Sequence, residues 1–465
     1  FSRELVERIR ETLDRHPDKW RLETYYVVSG RTEDAVRHAR HVIEHLQNPP
    51  ADNWNVVGLS HYRQAQFFGF AHLADDALAC PDLPPELRDE LCRWLSLYAN
   101  LFADPDVNPR GAGVHLGNNN MAINRTLALG FFASMLPEHP RYDYWMDQLA
   151  EWTRWKMASQ TAPCGTWIAC PTYQLYSPTR HLNVTQNILQ HTGRADLSRY
   201  GYLSGTLRYL ANLTMQDPRY DGYRIIPGMG NSANRVESIW GIGMAAVEDR
   251  HPEFASWLRW FHALAKPNLG IEAPKDQQHS GYYNRNDREK GYSFYYLPDV
   301  PKRAQPLTTT FFPAYGVMFR AHFQDPDETA LLLRAGMNWS HWDTDTLNVV
   351  LYGKGAPLSP GTGYQYLGGP AVQNNAVYHN QVKVGRPDLQ EVFGRVDDVV
   401  RDYGFTEEAD YAVAERYYPP ELFEDDGGAM HWRRHVLFLK SDRPAGPNYF
   451  VMRDSFPDNK TRPTW

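Results

Sequence analysis

The chain has 465 residues, 42% of them hydrophobic and 22% charged, the balance of a globular protein with a large core and room for two or three domains. A formal net charge of -7, with no basic run or Lys/Arg-rich tail, argues against nucleic acid as a partner, and no stretch reaches the ~20 apolar residues of a membrane span. Aromatic residues are plentiful, 14 Trp and 28 Tyr among them; such rings either fill a large helical core or stack against sugars along a cleft.

The first 300 residues read mainly as helices. TEDAVRHARHVIEHL (32 to 46) repeats its apolar residues every three or four positions behind a Thr cap, and PPELRDELCRWLSLYANLF (84 to 102) opens with Pro at a helix start. The same spacing recurs in YDYWMDQLAEWTRWKMA (142 to 158), LNVTQNILQHTG (182 to 193), LSRYGYLSGTLRYLANLTM (197 to 215), SANRVESIWGIGMAAVE (232 to 248) and PEFASWLRWFHALAK (252 to 266). Connections are short and rich in Pro, Gly and Asp. Antiparallel helix pairs in series, without intervening strands, predict an α/α toroid or an α-solenoid, and the lack of a fixed period speaks against a regular repeat array.

Near residue 300 the pattern changes. TTTFFPAYGVMFRAHF (308 to 323), TLNVVLYGKGAPLS (346 to 359), HNQVKVG (379 to 385), DYAVAERYY (410 to 418) and HWRRHVLFLKS (431 to 441) are short, β-branched or aromatic, and bounded by turn residues. Antiparallel sheets packed face to face are the natural outcome. The expected architecture is thus α+β, with a helical domain over 1–300, a β-sheet domain over 301–465 and a cleft between them. The chain begins at Phe1 and stops at Trp465, just past the strand-like YFVMRDSF (449 to 456). A removed leader and a sheet domain truncated at its C-terminus are expected from this. Four cysteines form two local pairs, Cys80 with Cys92 and Cys164 with Cys170. They suit either disulfides in an oxidising compartment or buried thiols, and no Cys/His spacing is that of a zinc finger.

One stretch does not fit a plain helical reading. GVHLGNNNMAINR (113 to 125) sets three asparagines at the mouth of a helix, although asparagine amides compete for backbone partners and weaken helices. One of them can serve as an N-cap; three exceed what a cap requires. LGNNNM (116 to 121), CGTWIACPTYQLYS (164 to 177) and SHWDTDTLNVVLYGKGAPLSPGTGYQY (340 to 366), followed by NNAVYHNQVKVG (374 to 385), occur in that order. Together they resemble the motifs of the heparinase II/III-like polysaccharide lyases, a superfamily that includes alginate and oligoalginate lyases.

The resemblance implies a helical toroid followed by an antiparallel β-sandwich, with a uronic-acid polymer in the cleft and β-elimination as the reaction. Such a reaction needs donors that blunt the uronate carboxylate, a base for the C5 proton and an acid for the leaving oxygen at C4. Asn119 and its neighbours Asn118 and Asn120 match the carboxylate-binding amides, Tyr173 the proton-transfer residue, and His341 a catalytic histidine of the sheet run. The sequence departs from the family pattern at Asn120, where His is usual; His115 or His181 are the nearby imidazoles. Arg125, Arg180 and Arg235 suit carboxylate binding, and Trp167 suits stacking on a sugar ring. No cofactor is required, but some relatives hold a structural zinc, for which His341, Asp343 and His379 are the matching residues and Asp345 another oxygen donor. A secreted or periplasmic location follows from the resemblance. Two other classes stay open, an α/α-toroid glycoside hydrolase, which needs a carboxylate pair across the bond, and a catalytically inactive carbohydrate-binding protein.

Overall fold

The computed structural model describes residues 25–48, 64–107, 119–167, 169–174, 180–196, 201–217, 224–230, 240, 243–244, 247–265, 300–336, 345, 347–361, 379–382, 398–418 and 430–457. Helices come first: α1 (Tyr26–Ser29), α2 (Thr32–Gln47), α3 (Gln64–Leu78), α4 (Pro85–Ala103), α5 (Asn119–Ser134), α6 (Tyr142–Gln160), α7 (Pro171–Gln174), α8 (Arg180–His191), α9 (Tyr202–Asn212) and α10 (Pro252–Ala265). Ala35, Ala39, Val42, Ile43 and Leu46 form one stripe of α2, and Leu91, Leu95, Tyr98, Ala99 and Phe102 one stripe of α4. Both stripes enter a shared core with α3, α5 and α6, where each large side chain contributes roughly 1.5–3 kcal/mol by leaving water. Pro85 starts α4 as expected. Thr32 is not the cap of α2: the N-cap residue is Arg31, and no side chain caps the helix.

A short antiparallel ladder, β1 (Met215–Gln216) with β2 (Arg224–Ile225), interrupts the helical half. The larger sheets follow. β3 (Thr310–Phe312), β4 (Gly316–Ala321), β5 (Thr329–Arg334), β6 (Val349–Gly353) and β7 (Ala356–Ser359) form a five-stranded meander, and β8 (Val399–Phe405), β9 (Ala409–Tyr418), β10 (Met430–Leu439) and β11 (Tyr449–Ser455) a four-stranded one. All pairings are antiparallel. β10 shows the period of a half-buried strand: Met430, Trp432, Arg434, Val436 and Phe438 point inward and their neighbours outward. β4 and β5 are instead buried along their whole length. Val317, Phe319, Leu331 and Leu333 face the second sheet, while Met318, Ala330 and Leu332 join a core with α9 and α10. The five-stranded sheet is therefore the middle layer, and the helical and sheet halves share an apolar seam.

Two stretches that read as single strands are hairpins. Residues 308–323 fold back at Pro313 to Tyr315. Gly316 has φ 134° there, and an added Cβ would lie 2.0 Å from the Leu333 carbonyl oxygen. Residues 346–359 reverse at Lys354 and Gly355, both at positive φ (54° and 70°), a two-residue turn whose twist matches the flanking strands. All four cysteines are free thiols, Cys80 and Cys170 buried, Cys92 and Cys164 partly exposed, so the local pairs are not disulfides. Among the described residues no helix is long and apolar enough to cross a membrane.

Candidate active site

Residues 161–167 and 169–174 form a compact unit against α9. Thr161 bridges Trp167, the Ala162 amide donates to the Thr166 carbonyl, and the Gly165 amide donates to the Ala162 carbonyl at 2.8 Å. Gly165 takes φ 89°, and a Cβ on it would stand 1.9 Å from the Gly205 carbonyl carbon. Only glycine permits this approach of loop to helix. The Gly165 carbonyl is then held by Thr206 Oγ1 at 2.9 Å and by Gln174 Nε2 at 2.6 Å. Gln174 Oε1 accepts the Trp167 amide at 3.3 Å, so the one-turn helix α7 hangs from the same glycine.

Tyr173, on α7, is partly exposed and packs against Trp167 and Ala169. Trp167, expected as an open stacking platform, is only 3% exposed; it is the apolar backing of Tyr173. Asn119 and Asn120 form the first turn of α5, as the three-asparagine stretch suggested, and Arg180 opens α8. Arg125, expected to bind a carboxylate, is buried on α5, where its Nη1 donates to the Val107 carbonyl at 2.8 Å. Burial lowers its pKa. His115, Asn118, Arg235, His341 and Asp343, and the side chains of Asn119, Asn120, Arg180 and His181, lie outside the described residues.

The third motif enters through residues 379–382. The Asn380 amide donates to Asn348 Oδ1 at 2.9 Å, its Nδ2 donates to the Val349 carbonyl, and its own carbonyl accepts Arg434 Nη1. This pins His379 beside Asp345. Burial raises the Asp345 carboxyl above the usual range against the pull of Arg334 and His379. Next to it burial pushes Asp398 up to about 6, although Arg416 donates to its Oδ1 at 3.1 Å. Tyr315, whose hydroxyl reaches Met229 Sδ at 3.3 Å, packs against Tyr209 and lies under the Arg334 guanidinium; burial raises its pKa, and Asp345 and Cys170 act on it in the same sense. Cys170 directly precedes α7. Cys170 of the second motif and Asp345 of the third, about 170 residues apart in sequence, thus both act electrostatically on the buried Tyr315.

Among the described residues no three His, Cys, Asp or Glu side chains gather as a metal requires. Sequence reasoning missed Tyr315, Arg334 and Asp398, which belong to no motif, and Lys156. The last had a legible signal: it shares the buried stripe of α6 with Trp145, Leu149, Trp152 and Met157, where a lysine is out of place.

No family model and no curated protein matches the chain by sequence. Solved structures do match. A heparinase III solved with methylated lysines superposes over 93% of this chain and 61% of its own, with TM-score 0.60 and 14% identity. The heparan sulfate lyase HepC from Pedobacter heparinus, as a mutant, superposes over 92% of this chain and 59% of its own, with TM-score 0.60 and 13% identity. A second heparinase III structure gives 93% and 62% coverage, TM-score 0.59 and 15% identity. The chain spans about three fifths of the length of the structures it matches. Helices followed by antiparallel sheets, in this order and over nearly the whole chain, give the protein the heparinase-like polysaccharide lyase fold.

Proposed function

We propose that the protein is a polysaccharide lyase, a carbon–oxygen lyase that cleaves a uronic-acid-containing polymer by β-elimination. The observation that carries this reading is the likeness of fold to heparinase III and to a heparan sulfate lyase over more than nine tenths of the chain. In this reading the helices form an α/α toroid and the two sheets a sandwich, with the polymer in the cleft, and the protein works outside the cell or in the periplasm.

The chemistry follows from the residues. Asn119, with Asn118 and Asn120, donates to the uronate carboxylate. Neutral amides stabilise the charge that spreads onto it as C5 loses its proton, without adding a titrating group. Tyr173 takes that proton and returns one to the oxygen leaving C4, with His341 as its partner across the cleft. A phenol titrates near 10 when free, so a base role requires donors or cations close to its oxygen. Arg180, Arg235 and His115 complete the carboxylate contacts. No step runs through a metal. A zinc held by His341, Asp343 and His379 is structural in this scheme, and a chelator that leaves the thermal midpoint unchanged removes it.

The test is incubation with alginate, hyaluronan, chondroitin and heparan polymers. Elimination leaves a C4=C5 double bond conjugated to the carboxylate, read as new ultraviolet absorbance. Shortening without that absorbance means hydrolysis, and binding without shortening means a carbohydrate-binding protein; either result overturns the lyase reading.

A further inference from the structure

Lys156 lies on the buried face of α6 and is 1% exposed. Its ammonium stands 5.4 Å from the ring centre of Trp152 and 5.5 Å from that of Trp155. Gln160 Oε1 is 3.4 Å away. Among the described residues no carboxylate pairs with it. The charged group that acts on it is a second cation, Arg125, and burial together with that cation brings its pKa down to about 7. A protein interior does not hold a charge without something to offset it, and residues perturbed in this way concentrate at functional sites.

Its position explains the exception. α6 packs on α5, whose first turn carries Asn119 and Asn120. Arg125 is six residues beyond Asn119, about 9 Å along the helix axis. One turn past Lys156 is Gln160, followed at once by the Thr161 to Trp167 bridge that opens the tyrosine segment. Lys156 thus lies near the end of a helix that packs on α5 and runs directly into the tyrosine segment.

We infer that Lys156 is a positioning residue for the elimination proposed above: with Arg125 it forms a buried cationic pair whose field holds the charged uronate carboxylate in the cleft. It touches neither substrate nor reacting atoms. A unit charge on the order of 12 Å away, at an effective dielectric of about 20, changes an equilibrium roughly tenfold. The inference rests on the lyase reading.

The experiment compares wild type with Lys156→Met on whichever of the four polymers is cleaved, and on the same polymer methyl-esterified, where the carboxylate charge is gone. The expected result is a roughly tenfold fall in kcat/KM on the charged polymer, carried mainly by KM, with little change on the ester and no fall in thermal midpoint. Equal losses on both forms, or no loss on either, overturn the inference while leaving the lyase reading intact. If Lys156→Met does not fold, Lys156→Gln, which keeps a polar end for Gln160, reads the same ratio. A wild type that yields no unsaturated product from any polymer or ester overturns the parent reading and this one with it.

Discussion

The helical and sheet halves treat buried charge differently. In the sheet half several cations meet buried carboxylates: the buried Arg434 holds Asp454 at 2.9 Å, the buried Arg416 holds Asp398 at 3.1 Å and the partly exposed Lys440 holds Asp410 at 2.9 Å. At the seam, Arg224 and Arg320 share Glu328, and Arg320 also donates to the carbonyls of Asn212 and Thr214 from the helical half. The helical half joins the buried His38 ring to Asp76 at 2.8 Å, but it also keeps Lys156 among rings and an amide. Paired charges specify how strands and layers fit together. A buried lysine beside an arginine instead destabilises the fold, and its retention points to a task.

That contrast is open to attack by mutation. The largest expected effect is at Tyr173, where removing the phenol oxygen by Tyr173→Phe should cut turnover roughly 10²- to 10⁴-fold and leave polymer binding nearly intact. Full activity in that variant removes Tyr173 from the mechanism. Glu328→Gln strips the counter-charge from two buried arginines and should cost about 3–5 kcal/mol in urea unfolding. A loss below about 1 kcal/mol would show that the seam does not depend on this group.

The next effect is one of pH. His262 is buried on α10, its Nδ1 lacks a hydrogen-bond partner among the described residues, and burial with nearby Arg259 lowers its pKa to about 4. Because its folded value lies below the ordinary 6.5, the unfolded chain takes up the proton first. Stability therefore falls as pH drops from about 6.5 to 4, by at most about 3 kcal/mol, and is level for this group outside that window. His262→Leu should flatten that part of the curve of stability against pH. The smallest change is expected at Lys156→Met, which removes an unpaired charge and should leave unfolding stability equal or slightly higher at pH 7. A loss of several kcal/mol there would place Lys156 with the framework charges and erase the contrast between the halves.

Much of the fold was legible because periodicity is local. The stripes of α2, α4, α6 and α10 and the alternation of β9 and β10 are written in spacings of three, four and two, and each element appears close to where its pattern runs. TALLLR, which forms β5, was not singled out: a strand covered on both faces shows no alternation, and a short apolar run does not declare its partners. The hairpins at residues 313–315 and 354–355 read as single strands although Pro313, Gly316 and Gly355 mark the turns, because each turn sits inside a longer β-branched and aromatic run.

The site divides along the same line. Sequence alone determined which residue types stand in the motifs, an asparagine cluster, Tyr173 in the second segment and histidines in the sheet run, because motifs keep their order and spacing along the chain. Tertiary structure alone decided that Trp167 and Arg125 face inward, that Cys170 and Asp345 act electrostatically on the same buried tyrosine, and that Lys156 has a cation as its charged neighbour. Burial and electrostatic neighbourhood arise from contacts between segments distant in sequence, and no local pattern encodes them.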